Sequence, residues 1–149
     1  MGAPSGNSQN PDSDVRLAIG SRLELLAVVH ALIEGLSREL KLDEETTMAI
    51  QVAVIEAGTN AIQHGNVFAQ SKAVTFEFRV GRGGIEIQVD DFGAGFDAAR
   101  VADPTDPSAL LSPHGRGLFL MRSLMDEVSF DTRPDHGTRV RLKKALPGT

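Results

Sequence analysis

The sequence predicts an α/β (α+β) two-layer sandwich, with a mostly antiparallel sheet of about five strands and helices on one face. Two observations carry this. Apolar residues recur with a helical period in three stretches and with a period of two in the segments between them. The resulting order, β-α-α-β-β-α-β-β, favours hairpins over the strand–helix–strand repeats of a parallel sheet. At 149 residues and 41% hydrophobic content, the chain suffices for one compact domain and not for two well-developed ones.

Residues 1–12 are Gly, Ser, Asn, Pro and Gln almost throughout, a composition that cannot bury apolar surface and reads as a disordered lead. A single domain is expected over 13–145. Val15, Leu17 and Ile19 alternate as a short strand, and Gly20-Ser21 opens a helix carrying Leu25, Val28, Val29, Leu32 and Leu36 at helical spacing. Asp43 is a good N-cap for a second helix, with Glu44 and Glu45 suited to its positive end. The period then changes to two. Val74, Phe76, Phe78 and Val80 alternate, Gly81-Arg82-Gly83-Gly84 turns, and Ile85, Ile87 and Val89 alternate back. From Asp91 to Pro113 runs a stretch with Gly93, Gly95, Pro104, Pro107 and Pro113, long enough to suggest a functional or mobile loop, often a lid. Leu118, Met121, Leu124 and Met125 form a third helical face, and Val128 with Phe130 and Val140 with Leu142 suggest a last hairpin around Asp135-His136-Gly137.

Composition excludes several function classes. The formal charge is −5, with both signs scattered and no basic block, which argues against a nucleic-acid surface. Trp and Tyr are absent, so the usual base-stacking platforms are missing. Without cysteine there is no disulfide or thiolate–metal chemistry, and the four His (30, 64, 114, 136) show no metal-ligand spacing. No segment approaches the roughly 20 apolar residues of a membrane span and no leader pattern is visible, so a cytoplasmic location without membrane contact is expected.

The chemistry concentrates in the second helix and two later glycine clusters. Glu56 and Asn60 stand at i and i+4, a carboxylate and an amide oxygen on one face. An apolar stripe through Met48, Val52, Ile55, Thr59 and Ile62 supplies the core-facing surface, leaving Glu56 and Asn60 at its edge, where a polar side chain can meet a ligand. Gly58, costly inside a helix, implies a close approach to its backbone, and Gly65 reads as the left-handed residue past the helix end. Together with Asp91-Phe92-Gly93-Ala94-Gly95 and Gly115-Arg116-Gly117, this specifies a nucleotide site. It is not a P-loop, since no Gly-x-x-x-x-Gly-Lys-Ser/Thr run occurs, nor a dinucleotide fold, since Gly93-x-Gly95 follows a hairpin strand. The glycine loop, strand lysine and catalytic loop of the serine/threonine protein kinases are also missing.

Glu56-x-x-x-Asn60, Asp91-x-Gly93-x-Gly95, Gly115-x-Gly117-Leu118 and Gly137-Thr138, in that order, resemble the N, G1, G2 and G3 boxes of the GHKL ATPase superfamily. The segment from Gly115 to Val128 is especially similar to the anti-sigma-factor serine kinases of the RsbW and SpoIIAB type, and the resemblance runs from about Val15 to Leu142. It implies a Bergerat-type ATP-binding fold that uses ATP and Mg²⁺. Asn60 would ligate the metal through its amide oxygen, and Asp91 would accept a hydrogen bond from the adenine amino group. Gly93 and Gly95 would let the chain turn against the base, and Gly115 and Gly117 would present backbone N–H groups to the phosphates. Arg116 adds charge there or stands as a solvated lid residue, and Thr138 lies near the base or packs the sheet. Glu56 is the implied general base for an incoming serine hydroxyl; in related ATPases that residue activates water.

The function this implies is an anti-sigma factor with protein-serine kinase activity. Such a protein binds a sigma factor, phosphorylates a STAS-like anti-anti-sigma factor, and forms a homodimer through the region from Val15 to Leu32. Two alternatives remain at this level: a non-catalytic ATP-gated binding module, and a switch-type kinase that controls a phosphatase.

Overall fold

The structure, a computed structural model, describes residues 13–93, 113–133 and 137–146. The expected lead, Gly95 and most of the expected lid lie outside the described residues. Five strands form one antiparallel sheet: β1 (Val15–Gly20), β2 (Ala73–Gly81), β3 (Gly84–Asp90), β4 (Glu127–Arg133) and β5 (Gly137–Lys144), in the spatial order β1-β2-β3-β5-β4. The helices are α1 (Leu26–Glu39), after a 3₁₀ turn at Leu23–Leu25, α2 (Glu44–Asn60), continued by a π-helical turn at Ala61–Gly65, and α3 (Pro113–Leu124).

Period-two alternation makes one face of this sheet apolar, and the register aligns that face across all five strands. Leu17, Phe76, Val89, Val140 and Phe130 form one transverse row, and Val15, Phe78, Ile87, Leu142 and Val128 form the next. Phe76 and Phe78 are fully buried against the helices, a burial of roughly 1.5–3 kcal/mol each. The opposite face carries cross-strand ion pairs, Arg16–Glu77 at 2.7 Å, Arg139–Asp90 at 2.9 Å and Arg141–Asp131 at 2.6 Å. Polar side chains on that face keep each strand from flipping, because a one-residue slip would bury charge.

Helix α2 starts where its sequence dictates: Asp43 is the N-cap, and its carboxylate accepts the Thr46 N–H at 2.7 Å. Its buried face differs from the expected stripe. Met48 is exposed, and Val52, Ile55 and Thr59 are only half-buried, whereas Ile50, Ala53, Val54, Ala57, Gly58, Ala61 and Ile62 are buried. The reason is close packing by small residues. A methyl at Gly58 would stand 2.8 Å from Leu26 and 3.1 Å from Phe76, so α2 lies near both α1 and the sheet, and small residues, Ala53, Ala57, Gly58 and Ala61, share its inner face with Ile50, Val54 and Ile62. The close approach expected at Gly58 is therefore core packing. On α1, Leu26, Val29 and Ile33 enter the core while Val28 points outward.

Candidate functional site

Helix α2 is the spine of the site. Glu56 is half-buried and Asn60 is buried, 7% exposed, on the flank that faces the first turns of α3. Contact there is direct: a methyl added at Gly117 would stand 2.9 Å from Glu56 Oε2 and 3.5 Å from Asn60 Nδ2. The bare Gly117 backbone is what lets α3 reach this carboxylate–amide pair. Gly115 lies two residues nearer the helix start, Arg116 is exposed, and Leu118 is buried beneath.

Five residues past Asn60, at the end of the π turn, Gly65 meets Asp91. Gly65 does not adopt the left-handed conformation expected of a residue past the helix end, because it lies within the terminal π turn. The left-handed residues come later, at Val67 (φ 51°) and Phe68 (φ 59°). What Gly65 supplies is the absence of a side chain, since any Cβ there would collide with the Asp91 carboxylate. Gly93 and Gly137 crowd the same place: a Cβ on Gly93 would strike the Gly65 carbonyl, and one on Gly137 would strike the Asp91 backbone. Gly137 also has φ +86°, which favours glycine in any case.

Asp91 is thus held in a cradle of three glycines and is 2% exposed. Its Oδ1 accepts the N–H of Gly93 and of Thr138, each at 3.1 Å, and its own N–H donates to the Thr138 carbonyl at 3.0 Å. Charge-assisted bonds of this kind hold a buried carboxylate in one orientation. Thr138, 1% exposed, is joined to Asp91 through its backbone in both directions. Next door, Asp90 points to the other face and takes Arg139 in a fork at 2.9 and 3.1 Å. That bond to Asp90 holds the Arg139 guanidinium above its ordinary pKa and fastens β3 to β5 beside Asp91.

Of the residues singled out in the sequence, Glu56, Asn60 and Gly117 meet at one end of the site and Asp91, Gly93 and Thr138 at the other, with α2 and its π turn linking them. Sequence reasoning missed Asn66, Ser21 and the contact role of Gly65. Asn66 follows a helix and precedes a strand, where asparagine reads as an ordinary turn former, so no local signal separates it from a loop residue. π turns inserted at the end of α-helices occur often at functional sites, but spacing does not reveal them.

An antiparallel sheet is thus backed by a helix that carries a carboxylate and an amide and leads to a buried aspartate in a glycine cradle. The model of the histidine kinase-like ATPase domain family matches residues 19–144, and the chain belongs to that family. Similar proteins include the serine-protein kinase RsbW of Bacillus licheniformis, 31% identical over 83% of this chain and 79% of its own length. The RsbW of Oceanobacillus iheyensis is 26% identical over 89% of this chain and 86% of its own. The anti-sigma F factor of Clostridium perfringens is 28% identical over 91% and 98%. Among solved structures, the RsbU and RsbW domains of a Mycobacterium tuberculosis protein align with a TM-score of 0.64 at 18% identity, over 89% of this chain and 32% of that one. A blue-light-activated histidine kinase from Erythrobacter litoralis aligns at 0.55 and 19%, over 86% of this chain and 62% of that one. At these identities the structural likeness speaks to the fold.

Proposed function

We propose that this protein is an ATP-dependent protein-serine kinase and anti-sigma factor: it binds a sigma factor and phosphorylates a STAS-like antagonist that competes for it. The observation that carries the reading is the meeting of Glu56, Asn60 and Gly117, a carboxylate and an amide against the bare backbone of a helix's first turns. The names of the relatives, serine-protein kinase and anti-sigma F factor, support the same activity.

The residues present fit an adenine nucleotide carried with Mg²⁺. Gly117 leaves room beside α3, whose early backbone N–H groups and helix dipole favour phosphate, as would Gly115. Among the described residues no group of three or more His, Cys, Asp or Glu could hold a metal ion. A hard cation carried with the nucleotide would take the Asn60 amide oxygen, the role the family resemblance implies, together with the phosphates and water. Asp91, acceptor-only when ionised, suits an amino group on the base and opposes a carbonyl, which favours adenine over guanine. ATP supplies the γ-phosphoryl group. Glu56 orients the serine hydroxyl of the protein substrate and takes its proton onto the carboxylate.

A homodimer would use β1, which lies at a sheet edge, with exposed Leu23 and Val28 beside it. No helix among the described residues is long and apolar enough to cross a membrane.

The test separates two jobs one turn apart. Asn60→Ala should abolish Mg²⁺–ATP binding. Glu56→Gln keeps size and hydrogen bonding without basicity, so it should retain ATP and sigma-factor binding while phosphoryl transfer to the antagonist falls by roughly 10²–10⁴-fold. Full transfer of labelled phosphate by Glu56→Gln would sink the kinase assignment. A wild type that transfers none leaves an ATP-gated binding module in its place.

A further inference from the structure

Asn66 is 3% exposed, and both ends of its amide are engaged. Its Nδ2 donates to Ser21 Oγ at 2.9 Å and to the Ala73 carbonyl at 3.0 Å, and its Oδ1 accepts the Phe92 N–H at 2.8 Å. Ser21, 1% exposed, donates in turn to the Lys72 carbonyl at 2.6 Å. One side chain therefore joins the segment after β1, the start of β2, the end of the π turn and the residue that follows Asp91.

We infer that Asn66 is the positioning residue of the base-reading site: by holding the Asp91–Phe92 peptide, it fixes the direction of the Asp91 carboxylate and so sets the preference for adenine. The inference rests on the proposed role of Asp91. The Phe92 N–H lies between Asp91 and Gly93, and Gly93 N–H is one of the two donors that orient Asp91 Oδ1. Releasing Phe92 thus frees the loop that aims the carboxylate. The Asn66 amide donates at one end and accepts at the other, which joins these segments through one side chain.

A second observation points the same way. Directly after Asn66 the chain passes through two left-handed non-glycine residues, one of them the β-branched Val67, for which that conformation is unfavourable. Val67 and Phe68 are exposed at 70% and 49%, so the strained turn gains no core packing from them. It is fastened by Asn66 N–H to the Ala61 carbonyl at 2.8 Å and by Phe68 N–H to the Ile62 carbonyl at 2.9 Å. Strain that persists without packing in return belongs to a place where geometry is required elsewhere. Here the geometry delivered is that of the Asn66 side chain.

The test measures ATP and GTP binding by calorimetry, with Mg²⁺, below the melting temperature of each variant. Asn66→Ala should weaken ATP about tenfold, which is about 1.4 kcal/mol, and should lower the ATP-over-GTP ratio by a similar factor. A loss of folded protein alone would weaken both nucleotides alike and leave the ratio unchanged. Ser21→Ala, which removes one of the two acceptors of Nδ2, should lower the ratio in the same direction by about threefold. Asp91→Asn, run in parallel, tests the underlying role: an unchanged ratio there refutes the reading of Asp91. If Asp91→Asn collapses the ratio and Asn66→Ala keeps it, the positioning role is wrong. Should Asn66→Ala not fold, a full wild-type ratio in Ser21→Ala overturns it equally.

Discussion

Gly65→Ala sets two effects of opposite sign against each other. Gly65 does not take a positive φ and lies in the π turn that continues α2, so by helix propensity alone alanine there would stabilise by up to about 1 kcal/mol. The new methyl, however, would occupy the space of the Asp91 carboxylate. A flexible side chain would swing away at little cost. Asp91 is short, 2% exposed, and fixed by the Gly93 and Thr138 N–H groups at 3.1 Å, so it moves only by giving up those bonds. Each is a hydrogen bond to a charged group, worth about 1.5–3 kcal/mol. The clash wins, and the net loss should be about 2–5 kcal/mol. Urea unfolding followed by circular dichroism measures it, and ADP titration should show weakened binding in the same variant. The double variant Gly65→Ala/Asp91→Ala gives the methyl room, so its stability loss should be smaller than the sum of the two single losses. A Gly65→Ala protein as stable as wild type with unaltered nucleotide affinity would refute the cradle as the reason for this glycine.

Other consequences are checked with similar means. Asp91→Asn should weaken ATP by about 1.5–3 kcal/mol in calorimetry, because a charged acceptor becomes a partial donor facing an amino group. Gly117→Ala should leave stability equal or up to about 1 kcal/mol higher by thermal denaturation. It should nonetheless slow phosphoryl transfer, since the methyl stands 2.9 Å from Glu56 Oε2 and displaces the base. Asp43 is held below the ordinary aspartate pKa by the Thr46 hydroxyl and then the Thr46 N–H. Its contribution is present at neutral pH and is lost as pH falls through the folded-state value, so the melting-temperature gap between wild type and Asp43→Ala should narrow in acid. A gap that widens as pH falls would contradict that sign.

Much of the architecture is legible without coordinates. Alternation in Val74–Val80 and Ile85–Val89 marks the central hairpin, and Asp43 marks the start of α2, because one-sided burial and end-capping leave local traces in sequence. The ordered boxes around Glu56, Asn60, Asp91, Gly117 and Thr138 point to the family the same way. The buried face of α2 is different. That helix is covered by α1, α3 and the sheet, so its buried surface mixes Ala53, Ala57, Gly58 and Ala61 with Ile50, Val54 and Ile62 and is too broad to show as a single apolar stripe, which is why the expected stripe includes Met48 and Val52 and the buried surface does not. Likewise, Gly65 looks like a helix stop and Asn66 like a turn. Their partners, Asp91, Phe92, Ser21 and Ala73, come from separate segments that only the closed sheet brings together. Sequence determined the elements and the chemistry available, since those depend on neighbours along the chain. Tertiary structure alone decided which backbone must be bare and which amide aims the aspartate, because those depend on contacts between residues that are distant in sequence.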